Sequence, residues 1–239
     1  MRPWSPIPIH DCGEPLLELP PQLLRIEPHP YAVLGAPYGP GASPFRLRQG
    51  VLVRLLEAQR QLQRTHPIWR LAIFDAWRPV AVQRFMVQHA IGEECASRGV
   101  DPTSPSPQRD AVVADVGCFW APPSEDPATP PPHSTGAAVD LTLADGQGHL
   151  MAMGSAIDAI GPVSEPDHFL ARAGELQASA ERDACLEWHR RRSTLRQAME
   201  LAGFVQHPNE WWHFSWGDQL WAWRSGAASA RYGRAPEPG

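Results

Sequence analysis

The stretch HSTGAAVDLTL, residues 133–143, places a histidine seven residues before an aspartate that lies within an apolar strand pattern. Residues 139–143 alternate as a strand with one buried face does. A carboxylate inside such a strand is costly to bury unless it pairs with a cation or binds a metal. Gly136 and the two alanines after it leave room for a close approach. The pattern predicts a central sheet with His133 and Asp140 as candidate metal ligands. The alternative for the histidine is a surface or capping position.

A second candidate pair lies in the segment EWWHF, residues 210–214, where a glutamate precedes a histidine by three positions. Residues three apart in a regular strand point to opposite faces. Glu210 and His213 can therefore face one ion only if Glu210 lies at the strand edge or beside a bulge. The aromatic neighbours would form an apolar wall, which raises the pKa of a nearby carboxyl and makes it a better base. The alternative is an interfacial strand with exposed polar positions.

A third segment, DAWRP at residues 75–79, follows an apolar run and precedes a helical pattern. A catalytic zinc site needs three N or O ligands, an open position for water, and a cation near the developing oxyanion. Arg78 can supply that cation through its fixed guanidinium. The spacing alone favours a simpler role, either an ion pair with Asp75 or a position at a helix end.

The rest of the chain mixes helix and strand patterns with hairpin turns. Helices are expected over 48–66, 80–98 and 166–202, the last as one or two helices. Strands are expected over 69–74, 139–143, 204–205 and 211–216. Residues 101–132 are expected to form a long loop broken only by 111–116. The sequence predicts an α+β fold with a central, mostly antiparallel sheet flanked by helices. We expect one domain over 1–239, with a loop-rich N-terminal segment (1–45) and a flexible tail (225–239).

Composition argues against several classes of function. The chain has 239 residues and is 43% hydrophobic and 20% charged, as an ordinary globular protein is. Its net charge of -5 argues against a nucleic-acid partner. The basic cluster HRRR, residues 189–192, is expected to be a solvated helix face. No apolar run reaches the length of about 18 residues that a membrane span needs. The cysteines lack a C-x-x-C pair, so we expect reduced thiols in a cytoplasmic protein.

Taken in order, these segments resemble the zinc D-alanyl-D-alanine dipeptidase family. That family includes the vancomycin-resistance dipeptidases and belongs to the hedgehog/DD-peptidase superfamily. The resemblance covers residues 45 to 224. The matching segments are DAWRP at 75–79, HSTGAAVDLTL at 133–143, MGSAID at 153–158, LRQAMELAGF at 195–204 and EWWHF at 210–214. Several motifs in the family's order make the match specific.

The resemblance assigns roles to five of the residues already singled out. It implies that His133, Asp140 and His213 bind one zinc ion per chain. It implies that Glu210 is the catalytic base and acid. Arg78 would stabilise the oxyanion and contact the substrate.

The resemblance also implies that Asp158 binds the free ammonium group of the substrate. The alternative for Asp158 is to cap a helix that starts near Ala159. The sequence departs from the family at two positions. Pro131 replaces a serine that contacts substrate, so the amino end of the substrate must be held differently or less tightly. Trp77 replaces a tyrosine.

The expected activity is zinc-dependent hydrolysis of D-alanyl-D-alanine or similar small D,D-dipeptides to free D-amino acids. One alternative is a D,D-carboxypeptidase that trims peptidoglycan stem peptides. The other is a non-catalytic zinc-binding interaction domain, as hedgehog signalling domains are in the same superfamily. The presence of both Glu210 and Arg78 argues against that second alternative.

Overall fold

The computed structural model describes residues 2–237 and has an α+β architecture, as the sequence predicts. The strands of the central sheet are β2 (Leu24–Arg25), β4 (Arg70–Asp75), β5 (Ala138–Ala144), β6 (Val205–Gln206) and β7 (His213–Ser215). Their order across the sheet is β2–β4–β5–β7–β6. Neighbouring strands are antiparallel except for β2 and β4. Two further strands, β1 (Leu16–Glu18) and β3 (Arg46–Arg48), form a separate antiparallel pair.

The register of the sheet aligns three polar residues in one row. Asp140 of β5 pairs with His213 of β7 on one side and with Asp75 of β4 on the other. Directly opposed residues on one face of an antiparallel pair have Cβ atoms about 5 Å apart. A register shift between Ile73 and Asp75 brings Asp75 opposite Asp140. Because β5 is buried over its whole length, these polar groups meet inside the protein.

Helices pack around the sheet and complete the core. They are α1 (Pro30–Val33), α2 (Gln49–Thr65), α3 (Val80–Ser97), α4 (Pro107–Phe119), α5 (His168–Glu175), α6 (Ala180–Leu201) and α7 (Gln219–Ser225). The predictions of helices over 48–66, 80–98 and 166–202 are confirmed, the last as two helices. None of these helices combines the length and the apolar character needed to cross a membrane.

The amphipathic pattern of α2 explains how the largest core forms. Val51, Leu55 and Leu62 recur on one face of the helix and are almost fully buried. They belong to the same apolar cluster as residues of β4, β5 and α6. The helix ends at Thr65, as expected from the proline that follows His66.

The prediction of a nearly continuous loop over 101–132 is wrong, because α4 occupies 13 of its residues. Pro107 begins α4, where the missing N–H of proline leaves no hydrogen bond unmade. Ser106 caps the helix by accepting the backbone N–H of Arg109. Val112 and Val116 then pack with α3 in a second apolar cluster. Proline is a helix-start signal here rather than a loop signal.

The prediction that the basic cluster 189–192 is a solvated face is wrong for Arg192, which is 1% exposed. Its guanidinium donates hydrogen bonds of 2.8 to 2.9 Å to four oxygens, those of the Met153, Val163 and Glu165 carbonyls and the Ser155 hydroxyl. These carbonyls lie within residues 153–165, which contain neither a β-strand nor an α-helix. Buried carbonyls need partners, so Arg192 attaches this segment to α6.

Part of the stretch 225–239, expected to be a flexible tail, packs against the N-terminal segment. Ala230 and Tyr232 are fully buried. The Ala230 backbone exchanges hydrogen bonds with Pro8 and His10 at 2.8 and 2.9 Å. The Tyr232 hydroxyl donates to Glu14 at 2.7 Å. The aromatic ring and the backbone pairing therefore hold the C-terminal stretch against the N-terminal segment.

We predict that Arg192→Ala lowers the free energy of unfolding by about 3 kcal/mol, because several buried oxygens lose a charged donor. Urea unfolding followed by circular dichroism measures the change. Arg191→Ala is the matched control, since the neighbouring arginine is less buried and bonds Glu187 and the Ala152 carbonyl near the surface. Equal stability losses in the two variants would contradict the role assigned to Arg192.

Candidate metal centre

Three donor atoms, from His133, Asp140 and His213, lie close together beside the paired strands β5 and β7. His133 lies in a short 3-10 turn, Pro132–Thr135, just before β5, and its Nε2 is 3.2 Å from Asp140 Oδ2. His133 Nε2 is also 3.2 Å from His213 Nδ1, which in turn is 3.0 Å from Asp140 Oδ1. All three side chains are buried. The structure thus brings together the three residues predicted to be metal ligands.

The tautomer of His133 is set by the backbone. His133 Nδ1–H donates to the carbonyl oxygen of Ala76 at 2.7 Å, and a carbonyl can only accept. The hydrogen therefore resides on Nδ1, and Nε2 presents a lone pair to Asp140 and His213. A hydrogen bond of this kind orients metal-binding histidines.

The tautomer of His213 is set by a short chain of hydroxyl and carboxylate. Ser215 Oγ–H donates to Asp218 Oδ2 at 2.7 Å, which leaves the serine oxygen free to accept from His213 Nε2 at 3.3 Å. Asp218 is itself anchored as the N-cap of α7. Sequence reasoning missed both residues. Ser215 follows His213 by two positions in a strand and therefore shares its face, which was the available signal.

These contacts test whether a metal fits. Two imidazole nitrogens that carry no hydrogen face each other at 3.2 Å, so neither can donate to the other. A cation between them and the Asp140 carboxylate removes this repulsion. Two imidazoles and one carboxylate form a donor set that zinc uses in catalytic sites, where a fourth position stays open. His133, Asp140 and His213 fit such an ion.

Arg78 is fixed beside this cluster. It is 3% exposed, and its guanidinium donates to Asp75 Oδ2 and Gln83 Oε1 at 2.8 Å and to Asp140 Oδ2 at 3.3 Å. The ion pair with Asp75 that the spacing favoured is therefore present. The same side chain also lines the cavity next to the donor cluster, the position that the expected role at an oxyanion requires. The Gln83 contact was missed from the sequence.

Glu210 lies in the turn between β6 and β7, outside any strand. The expectation of a strand edge or a bulge is wrong, because Glu210 lies three residues before β7, where the irregular chain lets its carboxyl face His213. Its Oε2 is 3.7 Å from His213 Nδ1, and its Oε1 is 3.4 Å from Nδ1 of His207. Burial, together with the nearby charge of Asp140, raises the pKa of Glu210 well above its usual range. This carboxyl is suited to accept and return a proton.

Asp158 reaches the cavity from the segment that Arg192 holds. It is the one non-glycine residue among those described with a positive φ, 65°, a conformation that costs about 1 kcal/mol or more. Its Oδ2 accepts the Tyr31 hydroxyl at 2.7 Å. The side chain caps no helix, unlike the structural alternative considered from the sequence. Burial and the Asp140 charge raise the pKa of Asp158 to about 7, and the Tyr31 hydrogen bond and the Arg78 charge only partly offset this rise.

All of these groups line one cavity. Its lining includes Arg78, Asp158, Glu210 and the three donor residues, His133, Asp140 and His213. The cavity volume is about 40 Å³, enough for only a few waters. Three candidate ligands, a buried carboxyl of raised pKa and a fixed guanidinium around a small cavity form an arrangement that metal-dependent hydrolases use.

Residues 25–229 match the model of peptidase family M15, described as D-ala-D-ala dipeptidase. The chain belongs to this family.

Two relatives carry the same description, D-alanyl-D-alanine dipeptidase. One is from Synechocystis sp. (strain ATCC 27184 / PCC 6803 / Kazusa), 45% identical over 226 residues, which are 94% of this chain and 90% of the relative. The other is from Escherichia coli (strain K12), 29% identical over 145 residues, which are 61% of this chain and 54% of the relative. A solved structure of a mutant vancomycin-resistance D,D-pentapeptidase, VanY, in complex with Zn(II) aligns over 93% of this chain and 95% of its own. That alignment has a TM-score of 0.45 and 14% identity.

We predict that Ser215→Ala lowers affinity for a divalent cation about 10- to 100-fold, the usual effect of removing the partner of a metal-binding histidine. Competition with a chromophoric chelator, using Zn²⁺, measures the affinity. Ser225→Ala is the control, because that hydroxyl bonds the end of α7 away from the cavity. Unchanged affinity in Ser215→Ala would show that the Asp218–Ser215 chain does not orient His213.

Proposed function

We propose that this single-domain protein hydrolyses D-alanyl-D-alanine with one zinc ion held by His133, Asp140 and His213. The observation that carries the proposal is the convergence of these three donors with Glu210 and Arg78 on one small cavity. Membership of the D-ala-D-ala dipeptidase family supports the substrate. The chain covers 90% of a relative with that name.

Each side chain has a separate task in the proposed reaction. Zinc, when bound, supplies a Lewis acid that polarises a carbonyl and lowers the pKa of water. Glu210 takes a proton from the attacking water and delivers it to the leaving amine, for which its raised pKa is suited. Arg78 donates N–H groups to the oxyanion that develops on the carbonyl. Its bonds to Asp75 and Gln83 hold the guanidinium in place beforehand.

Asp158 sets the preference for a free dipeptide. Its carboxylate lies in the cavity with no cationic partner among the described residues, and a substrate ammonium would provide one. An acylated or longer substrate would leave that carboxylate unpaired and desolvated, which is strongly unfavourable. The unpaired Asp158 carboxylate therefore favours a dipeptidase over the alternative D,D-carboxypeptidase. A binding domain without turnover has no need of Glu210 or of a fixed Arg78.

The biological setting forms part of the proposal. The dipeptide is a component of cell-wall precursors, so the enzyme would act in cell-wall turnover. The cysteines among the described residues are free, and Cys95 and Cys185 are buried as thiols. Unpaired cysteines are usual in a reducing compartment, which supports a cytoplasmic site of action.

Three substrates separate the proposed activity from its alternatives. We predict that the zinc-loaded protein cleaves D-Ala-D-Ala, leaves L-Ala-L-Ala intact, and cleaves N-acetyl-D-Ala-D-Ala at least about 100-fold less efficiently, as loss of a charged pairing implies. Release of D-alanine measures the rates. Efficient cleavage of the acetylated substrate would favour the carboxypeptidase, and no cleavage of any substrate would favour a binding domain.

We predict that Glu210→Gln lowers kcat for D-Ala-D-Ala by at least about 10²- to 10⁴-fold, the range for general acid–base groups. Glutamine keeps the shape of glutamate but cannot exchange the proton. Zinc content, measured by atomic absorption, is expected to stay at one ion per chain. A variant that keeps both zinc and near-normal turnover would remove Glu210 from the mechanism.

We predict that Asp158→Asn lowers kcat/KM for D-Ala-D-Ala by about 100-fold because the ammonium loses its charged partner. The rate with N-acetyl-D-Ala-D-Ala is expected to change much less, since that substrate brings no ammonium. Asp167→Asn, on the exposed side of the same region, is the control. Equal losses with both substrates would show that Asp158 has a structural role.

A further inference from the structure

The N-terminal strap, defined as residues 2–7, reaches the cavity from outside the central sheet. Trp4 anchors it and is 7% exposed. Its ring packs edge-on against His207, with 5.6 Å between ring centroids, and at a tilt against Trp223, with 5.5 Å between centroids. The Gln219 side-chain amide holds the strap backbone by donating to the carbonyl oxygens of Ser5 and Ile7 at 3.1 and 2.7 Å. The position of Arg2 is therefore built into the fold.

Arg2 places a guanidinium at the wall of the cavity. Its Nη1 donates to His207 Nε2 at 3.1 Å. Its Nη2 reaches the carbonyl oxygens of Gly117 and Phe119 only at 3.4 Å. Within residues 2–237, Arg2 has no carboxylate oxygen within 4.0 Å. Burial lowers the pKa of Arg2, and the charge of Glu210 opposes this shift without reversing it.

The other cationic side chain of the cavity is already occupied. Arg78 forms ion pairs with Asp75 and Asp140 at 2.8 and 3.3 Å. Among the described residues that line the cavity, Arg2 is thus the arginine without a carboxylate partner. A desolvated guanidinium is stabilised most by a planar anion that accepts two parallel hydrogen bonds. A carboxylate from a ligand fits this requirement.

We propose that Arg2 binds the terminal carboxylate of the dipeptide substrate. This inference rests on the proposed function, which supplies a substrate with an ammonium at one end and a carboxylate at the other. Asp158 takes the ammonium, and Arg2 takes the carboxylate. An extended dipeptide spans about 7 Å, so a short zwitterion can engage both groups across the cavity that they share. His207 holds the guanidinium while the weakly bonded Nη2 turns to the ligand.

The charge at the C-terminal end of the substrate then becomes a specificity determinant. A dipeptide amide has the same scissile bond but presents a neutral group to Arg2. The guanidinium would stay unpaired in that complex. Because a buried charge without a partner is unfavourable, the enzyme would bind the amide more weakly than the acid. The enzyme is therefore selective for a free acid at this end, independently of its selectivity for a free amine at the other.

A cycle of two substrates and matched variants tests this assignment. The substrates are D-Ala-D-Ala and D-Ala-D-alaninamide, and the full chain carries any tag at its C-terminus so that the strap is unaltered. We expect the wild type to prefer the acid by about 100-fold in kcat/KM, the factor that loss of a charged hydrogen-bonded pair implies. Arg2→Gln is expected to remove most of that preference, because it lowers kcat/KM for D-Ala-D-Ala and leaves kcat/KM for the amide unchanged. Arg2→Lys keeps the charge and is expected to retain part of the preference.

Arg54→Gln is the control. Arg54 is a partly buried arginine whose guanidinium carbon lies 4.0 Å from the centroid of the Trp216 ring, and it does not line this cavity. It is expected to leave the acid-to-amide ratio unchanged. If Arg2→Gln lowers the rates for both substrates by the same factor, Arg2 supports His207 or Glu210 and the proposal is overturned. An unchanged ratio in Arg2→Gln overturns it equally.

Binding by an inactive variant keeps this test separate from the proposed activity. Calorimetry with zinc-loaded Glu210→Gln measures the affinity for D-Ala-D-Ala and for its amide without turnover. The ratio of the two affinities is expected to collapse when Arg2→Gln is added. If the wild type fails to hydrolyse D-Ala-D-Ala but this ratio still depends on Arg2, the proposed function fails and the carboxylate site stands. A ratio that does not depend on Arg2 overturns the carboxylate site alone.

Discussion

The pairing of Asp140 with His213 across β5 and β7 is the contact on which the rest of the site depends. Side chains alternate between the faces of a strand, so a shift of one residue in this register would turn His213 away from Asp140. The same register places Asp75 on the far side of Asp140, and Asp75 in turn fixes Arg78. One strand alignment therefore brings Asp140, His213 and Arg78 together. The 3-10 turn before β5 adds His133 to this arrangement.

Electrostatics explains why these polar groups can be buried together. Asp75 and Asp140 bring negative charge into the core, and the Arg78 guanidinium offsets part of it. The Arg78 charge is the main cause that holds the pKa of Asp75 below its usual range despite the burial of this carboxyl. Glu210 and Asp158 lack such partners, and the pKa of each is raised. The site thus contains two classes of carboxyl: those paired with a buried arginine, and those without such a pair, whose pKa is raised.

The sequence predicted the parts of this structure that follow from local pattern. The buried run of β5 with its single aspartate, the stripe on α2, and the turn before His213 could all be read from residue order. The helix α4 was missed as a whole, although Ser106 and Pro107 form its cap and the start of its first turn. Arg192 looked like a surface residue because its partners are backbone carbonyls, which every residue has. Ser215, Asp218 and Gln83 were missed for a related reason: periodicity identifies a buried polar residue but does not identify the group it meets. Arg2 lies 205 positions from His207, a distance over which residue order carries no information on contact.

The hydrogen bond from His133 to the Ala76 carbonyl has a further consequence. The group that orients this histidine belongs to the main chain, so replacing the side chain at position 76 leaves it in place. Substitutions at position 76 would change only the packing of the side chain. They would not reveal that the carbonyl of this residue sets the tautomer of His133. Replacing the amide that follows Ala76 by an ester, through chemical synthesis of the backbone, would weaken the carbonyl as an acceptor. The orientation of one ligand is thus encoded in the path of the chain rather than in the identity of a residue.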